Sequence, residues 1–178
     1  MALLKILARN LLTRPRSEPP PELEEGRLQV LGERVRSMAR HHLGRSLSIR
    51  ALDTGSCNAC ELEIHALGNP YYQLERYGVH FVASPRHADV LLVTGPMCAN
   101  MSEAALRTWN ATPSPKWVVA MGDCACNGGV FGESYASLGG TDSVLSVDLH
   151  IPGCPPEPVV LLEGLLSLLE TVALKDEE

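Results

Sequence analysis

The sequence predicts an α/β fold with a mainly parallel sheet flanked by helices. From about residue 45 onward, short apolar runs alternate with segments of helical periodicity, which is typical of strand–helix–strand units. One of these runs, residues 88–95, is almost entirely apolar, as expected for a parallel strand buried on both faces. Aromatic residues make up only 4% of the 178 residues, whereas there are 15 Gly and 13 Pro. This composition favours aliphatic strands joined by short, shaped loops over a helical bundle.

The predicted elements follow one another along the chain. A helix over 28–43 comes first, with apolar residues at helical spacing, and it is expected to lie outside the main fold. The hydrophobic patterns and breaker residues then predict strands over 47–54, 79–83, 88–95 and 116–122, with one more inside 142–153. Helices are predicted over 61–67, 71–77, 102–110 and 157–174, the third with Ser102 as its N-cap.

Three parts are predicted: an N-terminal extension (1–44), one domain (45–174) and a charged tail (175–178). Residues 1–13 form a basic amphipathic stretch, interpreted either as a frayed leader or as a contact with a membrane surface or a membrane subunit. A linker rich in Pro and Glu follows over 14–25. Lys5 and Arg9 interrupt the apolar residues, so no secretory signal is expected. No run approaches the roughly 18 apolar residues of a transmembrane helix.

Charge and cysteine content narrow the possible functions. The net charge is −6, which argues against a nucleic-acid partner because that footprint is basic. With no secretory signal, the chain is expected in a reducing compartment. Its six cysteines are therefore expected to be metal ligands or buried thiols rather than disulfides.

Four of the cysteines come directly after predicted strands. Cys57 and Cys60 (GSCNACELE, 55–63) follow the first strand, Cys124 (GDCACNGG, 122–129) follows the strand over 116–122, and Cys154 (IPGCPPEP, 151–158) follows the last. Because the carboxyl ends of parallel strands meet at one edge of a sheet, the four thiols are expected to converge there. Dispersed ligands on separate loops suit an iron–sulfur cluster held at the rim of a folded domain. The sequence therefore predicts one such cluster.

Other uses of these cysteines fit less well. A zinc ribbon repeats a second close pair after 15–20 residues, and none is present. A thioredoxin-type pair would employ only Cys57 and Cys60, and a ferredoxin groups its ligands in one short run. A non-redox scaffold with a structural metal stays open. Cys126 is an alternative third ligand, although Cys124 is favoured by its place directly after the strand, and Cys98 is expected to be a buried thiol.

The cysteine motifs resemble those of a known family. CNACELE, VTGPMCANM, GDCACNGG and PGCPP are similar to motifs in the small subunit of nickel–iron hydrogenases. The similarity is greatest to the complex I-related group 4 enzymes of the formate hydrogenlyase and hydrogenase-4 type, and to the homologous B (20 kDa or PSST) subunit of complex I. The resemblance covers residues 45–170. It implies a flavodoxin-like domain with one [4Fe–4S] cluster, the one proximal to the active site, whose ligands are Cys57, Cys60, Cys124 and Cys154.

The resemblance also implies partners and a location. Such a subunit relays electrons between a ferredoxin-like iron–sulfur subunit and a nickel–iron site in a large subunit, together with membrane subunits at the cytoplasmic face of the cell membrane. The complex I subunit has two adjacent cysteines at the first motif, whereas Asn58 and Ala59 separate Cys57 from Cys60 here, as in the hydrogenases. The alternative is the B subunit of an NADH–quinone oxidoreductase, which passes electrons to quinone. Because the chain ends soon after residue 174, further relay clusters are expected on another subunit.

Three acidic residues adjoin the cysteine motifs. Glu61 and Glu63 follow the first pair, where the dipole at a helix N-terminus would stabilise carboxylates. The alternative role is a proton path or a subunit contact, because protons and electrons must meet at a hydrogenase site. Asp123 precedes Cys124, and its negative charge is expected to lower the cluster potential.

Overall fold

The computed structural model describes Lys5 and residues 25–176. Within this part of the chain there are five helices and five strands, and the strands form one sheet. In chain order they are α1 (Glu25–Leu43), β1 (Leu47–Asp53), α2 (Ala59–Ala66), β2 (Val79–Phe81), β3 (Val90–Thr94), α3 (Ala99–Ala111), β4 (Trp117–Met121), α4 (Asp123–Asn127), β5 (Leu149–Ile151) and α5 (Pro158–Asp176). Short 3₁₀ turns lie at Leu74–Tyr77, Pro85–His87 and Thr141–Ser143.

The sheet is parallel throughout and has the strand order β2-β1-β3-β4-β5. This is the order of flavodoxin-like folds, so the predicted fold class is confirmed. Strand β3 occupies the centre, and all five of its residues are buried because it pairs with β1 on one side and β4 on the other. The unbroken apolar run of this strand follows from that position.

Two apolar layers cover the sheet. On one face the side chains of Ile49, Leu92 and Val119 pack in the same cluster as residues of α1 and α5. On the other face Leu91 and Val118 belong to a smaller cluster that includes residues of α3. Alternate residues of each strand therefore serve opposite faces, as the two-residue repeat of a strand requires. None of the helices within residues 25–176 combines the length and apolar character needed to cross a membrane.

The expectation that the first helix lies outside the main fold was wrong. Helix α1 packs along α5, and the apolar stripe of α1 is buried in the larger core cluster, as the residues Leu28, Leu31, Val35 and Ala39 show. Only a second apolar surface removes such a stripe from water, and α5 provides it. The amphipathic stretch predicted over 1–13 lies outside the described residues apart from Lys5, as does the linker over 14–25 apart from Glu25. The boundaries at 44 and 174 stay a prediction.

Two local predictions also need correction. The helix predicted over 71–77 is only the 3₁₀ turn Leu74–Tyr77, because Gln73 takes a left-handed conformation with φ +46°. Ser102 is not an N-cap: α3 begins at Ala99, and the Ser102 hydroxyl donates a 2.8 Å hydrogen bond to the Ala99 carbonyl. The helix starts earlier because the backbone N–H of Cys98 bonds the Thr54 carbonyl, which orients the chain for helix formation shortly after β3.

The end of the sheet opposite the cysteines is closed by a buried carboxylate. Asp89 is 1% exposed and pairs with Arg45, whose guanidinium donates to both carboxylate oxygens. One of these oxygens also accepts a 2.9 Å hydrogen bond from the backbone N–H of Ser48. The side chain of Asp89 thereby joins the start of β1 to the start of β3.

We expect Asp89→Ala to destabilise the chain by about 1–3 kcal/mol, because the change leaves the partly buried N–H of Ser48 without its acceptor. Urea unfolding followed by circular dichroism measures the loss. The control is Glu103→Ala, which removes an exposed ion pair with Arg107 and should cost less than about 1 kcal/mol. Equal losses in the two variants would show that Asp89 is not a structural anchor.

Candidate metal centre

A small cavity lies at the carboxyl ends of the strands and brings four cysteines together. Its lining comes from the segments that follow β1, β3, β4 and β5, namely Ser56, Cys57, Ala59, Cys60, Gly95, Asp123, Cys124, Gly153, Cys154 and Pro155. Cys60 is buried, Cys124 is partly buried, and Cys57 and Cys154 are exposed. The cavity therefore has thiols from its floor to its mouth, and its mouth opens to the surface.

The turn after β1 is shaped by side-chain hydrogen bonds. One carboxylate oxygen of Asp53 accepts from the backbone N–H groups of Gly55 (2.8 Å) and Ser56 (2.7 Å). The Ser56 hydroxyl accepts from the N–H of Asn58 (3.1 Å) and donates to Glu61 Oε2 (2.8 Å). Asn58 takes a left-handed conformation with φ +73° directly before α2. This turn leaves Cys57 ahead of the helix and places Cys60 inside it.

The loops that carry Cys124 and Cys154 are joined by Asp123. Its backbone N–H donates to the Gly153 carbonyl and its carboxylate accepts from the Gly153 N–H, both at 2.8 Å. Next to this pair, the N–H of Gly122 donates to the Ile151 carbonyl at 2.8 Å. The reciprocal bonds hold the two loops at a fixed spacing. Asp123 therefore has a positioning role in addition to the electrostatic one that its sequence position predicts.

Two glycines leave room for the thiols. At Gly122, with φ +89°, a Cβ atom would lie 2.7 Å from Cys60 Sγ. At Gly129, with φ +52°, a Cβ atom would lie 2.8 Å from Cys124 Sγ. Carbon and sulfur clash at these separations, and both backbone conformations also favour glycine. The Gly residues of the GDCACNGG motif thus admit the cysteine side chains to the cavity.

The four thiols influence one another electrostatically. Burial raises the pKa of Cys60 to about 12, with further contributions in the same direction from the charges of Glu61, Cys124, Cys57 and Cys154. Burial also raises the pKa of Cys124, with contributions from Cys154 and Cys57 in the same direction. Four thiolates in this cavity would repel one another, so their joint deprotonation requires a cation among them. This is the electrostatic character of a metal site.

The four thiols that line the cavity are the donor set that a [4Fe–4S] cluster takes. In the described part of the chain no three His, Cys, Asp or Glu side chains approach closely enough to hold one metal ion. A [4Fe–4S] cluster is held by four cysteine thiolates, each bound to a different iron, and so it takes ligands that stand further apart. Four thiols around one cavity supply that donor set.

Cys98 and Cys126 do not line this cavity. The Sγ atom of Cys126 lies 3.6 Å from the Ala120 carbonyl oxygen, and burial, with a smaller effect of Asp123, raises its pKa to about 11. Cys98 is partly buried and its side chain packs against Gly55. Of the two candidates in the GDCACNGG motif, Cys124 is the one at the cavity.

The carboxylates of α2 occupy different surroundings. Glu61 is bonded to Ser56 through Oε2, and its Oε1 is buried. Glu63 is partly buried and contributes, after burial and Tyr71, to a raised pKa of Tyr72. The assignment of the two carboxylates to a proton path stays a prediction.

Sequence reasoning missed Asp53 and Ser56, whose hydrogen bonds shape the first loop. The signal was available, since Asp and Ser in a short segment after a strand are typical of side-chain-stabilised turns.

A loop with exposed apolar side chains lies beside the cavity. The 128–140 loop runs antiparallel to Met97, with hydrogen bonds of 2.8 Å from Met97 N–H to the Gly139 carbonyl and 2.7 Å from Leu138 N–H to the Met97 carbonyl. Four of its large hydrophobic side chains are exposed, namely Val130, Phe131, Tyr135 and Leu138. Contiguous exposed apolar side chains are typical of surfaces that contact another protein, so this loop is a candidate for such a contact.

The part of the chain that contains the four cavity cysteines also identifies its family. A family profile described as NADH ubiquinone oxidoreductase, 20 kDa subunit, matches residues 57–168. That range begins at Cys57 and includes Cys60, Cys124 and Cys154. The chain belongs to this family. The predicted resemblance is therefore confirmed, and relatives of the chain are named as subunits of a formate hydrogenlyase and of an NADH-quinone oxidoreductase.

The chain is similar in sequence to subunits of two kinds of enzyme, hydrogenases or hydrogenlyases and NADH-quinone oxidoreductases. The chain is 46% identical over 129 residues to formate hydrogenlyase subunit 7 of Escherichia coli (strain K12), an alignment that covers 71% of this chain and 51% of the relative. It is 44% identical over 131 residues to the probable membrane-bound hydrogenase subunit mbhJ of Pyrococcus furiosus (74% and 78%). It is 41% identical over 148 residues to the B subunit of the NADH-quinone oxidoreductase of Citrifermentans bemidjiense (82% and 86%). The chain thus spans about half the length of the formate hydrogenlyase subunit.

The chain is also similar to a protein of known structure. The chain is similar to one chain of the membrane-bound sulfane sulfur reductase, described as an archaeal respiratory membrane complex, with a TM-score of 0.64 and 32% identity. The match covers 79% of this chain and 76% of the other. Relatives that belong to membrane complexes are therefore found by sequence and by structure.

We expect Gly129→Ala to lower the iron bound per chain at least threefold, because a Cβ atom there meets the Cys124 thiol. The matched control is Gly132→Ala, where φ is +55° but no atom lies within 4 Å of the added Cβ. Both changes carry a similar backbone cost, so their difference reports the crowding at Cys124. Iron analysis and the visible absorption of anaerobically purified protein measure it. Equal iron content in the two variants would contradict the assignment of Cys124 to the metal site.

Proposed function

We propose that the chain is the electron-transfer subunit of a membrane-associated nickel–iron hydrogenase complex and that it carries the proximal [4Fe–4S] cluster. In this proposal it relays electrons between a ferredoxin-like iron–sulfur subunit and the nickel–iron site of a large subunit. The complex also contains membrane subunits, and the chain lies on the cytoplasmic side of the membrane. The observation that carries the proposal is the cavity lined by Cys57, Cys60, Cys124 and Cys154. The names of two relatives, a formate hydrogenlyase subunit and a probable membrane-bound hydrogenase subunit, support it.

In this proposal each ligand has its own setting. Cys60 provides the buried ligand beside Gly122, while Cys57 and Cys154 provide ligands at the exposed mouth. The bound cluster supplies one-electron transfer. The hydrogen bonds between Asp123 and Gly153 limit the movement of two ligand loops, and limited movement is what an electron carrier needs. The carboxylate of Asp123 also adds negative charge at the cavity, which favours a lower potential.

The spacing of the first motif favours the hydrogenase over its alternative. Asn58 and Ala59 lie between Cys57 and Cys60, and the left-handed conformation of Asn58 accommodates the turn into the helix. The second candidate is the B subunit of an NADH–quinone oxidoreductase, which passes electrons to quinone. The relative from Citrifermentans bemidjiense supports it, because 82% of this chain aligns with that protein.

The 128–140 loop is the proposed contact surface for the large subunit. Val130 is 85% exposed, and the backbone N–H of the same residue bonds the Cys124 thiol. A partner that covers the loop would therefore also cover the mouth of the cavity and exclude water from the exposed ligands. The loop contains a single charged residue, Glu133, so an apolar partner surface suits it.

Replacing any ligand should remove the cluster, because a [4Fe–4S] centre requires four thiolates. We expect Cys57→Ala, Cys60→Ala, Cys124→Ala and Cys154→Ala each to lose the four-iron signal. Visible absorption and electron paramagnetic resonance of the dithionite-reduced protein provide the measurement. Cys98→Ala and Cys126→Ala are the controls and should retain the signal. An intact cluster in Cys124→Ala together with its loss in Cys126→Ala would show that the third ligand is Cys126.

The function itself is tested on the native complex. The tagged chain is purified gently from its own membrane fraction, nickel and iron are quantified together, and hydrogen-driven reduction of a dye is assayed. We expect nickel, iron and hydrogen activity in one assembly. Iron without nickel and without hydrogen activity would exclude the hydrogenase and favour the quinone-linked alternative.

The same purification tests the 128–140 loop as a subunit contact. Val130→Asp should reduce recovery of the large subunit, whereas Leu106→Asp, at an exposed apolar site on α3, should not.

A further inference from the structure

Thr54 lies between the turn that carries Cys57 and the segment that follows β3. It comes directly after β1, and it is fully buried. Its backbone N–H donates to the Thr94 carbonyl, and its carbonyl accepts from the Cys98 N–H, both at 3.0 Å. Thr54 therefore joins two segments at the carboxyl edge of the sheet, and its side chain lies where they meet.

The Thr54 hydroxyl faces three consecutive carbonyl groups. Its Oγ1 atom lies 2.9 Å from the oxygen of Thr94, 3.2 Å from that of Gly95 and 3.1 Å from that of Pro96. A hydroxyl has one proton to donate, so the three carbonyls share it. Carbonyl oxygens that point to one place repel one another, and a shared donor offsets this repulsion. The hydroxyl therefore fixes the course of the backbone over residues 94–96.

The segment fixed in this way packs against the turn that carries Cys57. At Gly95, with φ +75°, a Cβ atom would lie 2.7 Å from the Cα atom of Ser56. The two backbones are thus in direct contact, and Gly95 also lines the cysteine cavity. Because Ser56 adjoins Cys57, a shift of residues 94–96 would move the start of the turn that holds this ligand.

The same segment is anchored on its other side by the 128–140 loop. Met97 exchanges two backbone hydrogen bonds with the loop, and the Ala99 N–H donates a third, of 2.9 Å, to the Ala136 carbonyl. Residues 94–99 are therefore held from both sides, which makes them a fixed support for the turn after β1.

We propose that Thr54 is a positioning residue for Cys57. Its hydroxyl sets the path of residues 94–96 and, through them, the place of the Cys57 thiol in the cavity. Cys57 is exposed and lies ahead of α2, so its position depends on its turn rather than on packing in the core. The inference rests on the proposed function, because its consequence for electron transfer requires a cluster bound by Cys57. The surroundings of each ligand sulfur influence the potential of such a cluster.

Two substitutions at Thr54 separate the hydroxyl from the shape of the side chain. Thr54→Val keeps the shape and removes the donor, whereas Thr54→Ser keeps the donor. The matched control is Thr112→Val, because Thr112 is also buried and its hydroxyl donates to the Thr108 carbonyl (2.9 Å) at the end of α3, outside the cavity lining.

The cluster of the anaerobically purified full chain provides the first measurement. Thr54→Val should change the electron paramagnetic resonance g-values of the reduced cluster, and it should speed the loss of visible absorption to an iron chelator at least fivefold. Thr54→Ser and Thr112→Val should keep the g-values and change the rate of loss less than twofold.

The second measurement does not depend on the cluster signal. Hydrogen exchange, followed by mass spectrometry in peptides that span residues 54–58 and 95–99, should be at least tenfold faster in Thr54→Val and within twofold of the unchanged chain in Thr54→Ser. The proposal is overturned if Thr54→Val leaves these exchange rates unchanged, or if the rates rise while the g-values and the rate of cluster loss do not change. Absence of a four-iron signal in the unchanged chain would instead reject the proposed function, and the exchange rates would still decide whether the hydroxyl holds the two segments together.

Discussion

The parallel alignment of β1, β3, β4 and β5 is the constraint on which the whole site depends. Because these strands run in the same direction, the segments that leave them meet at one edge, and each contributes residues to the cysteine cavity. An antiparallel exchange of any one strand would carry its loop to the opposite end of the sheet. The apolar surface that α1, α3 and α5 bury against the sheet therefore stabilises the cysteine cavity as well as the fold.

The two ends of the sheet have different tasks. At the amino ends of the strands, the carboxylate of Asp89 is buried and paired with Arg45 and Ser48, which is an arrangement that stabilises. At the carboxyl ends of the strands, two features destabilise the fold. Thiols with raised pKa values crowd one cavity, and apolar side chains of the 128–140 loop are exposed. Such costs are expected where a protein binds other groups.

Short local contacts hold the loops around the cysteine cavity in place. Asp53 and Asp123 each use a carboxylate to bind backbone N–H groups of the adjoining loops, and glycines beside the cysteines allow close approach. These features set the positions of the thiols in the cavity. A preformed set of ligands reduces the loss of conformational entropy on binding, and it also limits movement when the charge of the bound group changes.

The sequence by itself determined the central strand, the parallel sheet and the placement of four cysteines after strand ends, because hydrophobic periodicity and turn residues are local signals. It also pointed to Cys124 rather than Cys126. Tertiary structure decided what the periodic patterns pack against. The apolar stripe on α1 was recognisable from the sequence, but its partner α5 lies more than a hundred residues away. No local signal distinguished a helix packed in the core from one outside the main fold. The link between Asp123 and Gly153 and the contacts of the Thr54 hydroxyl arise from segments distant in sequence, and only the folded chain brings such segments into contact.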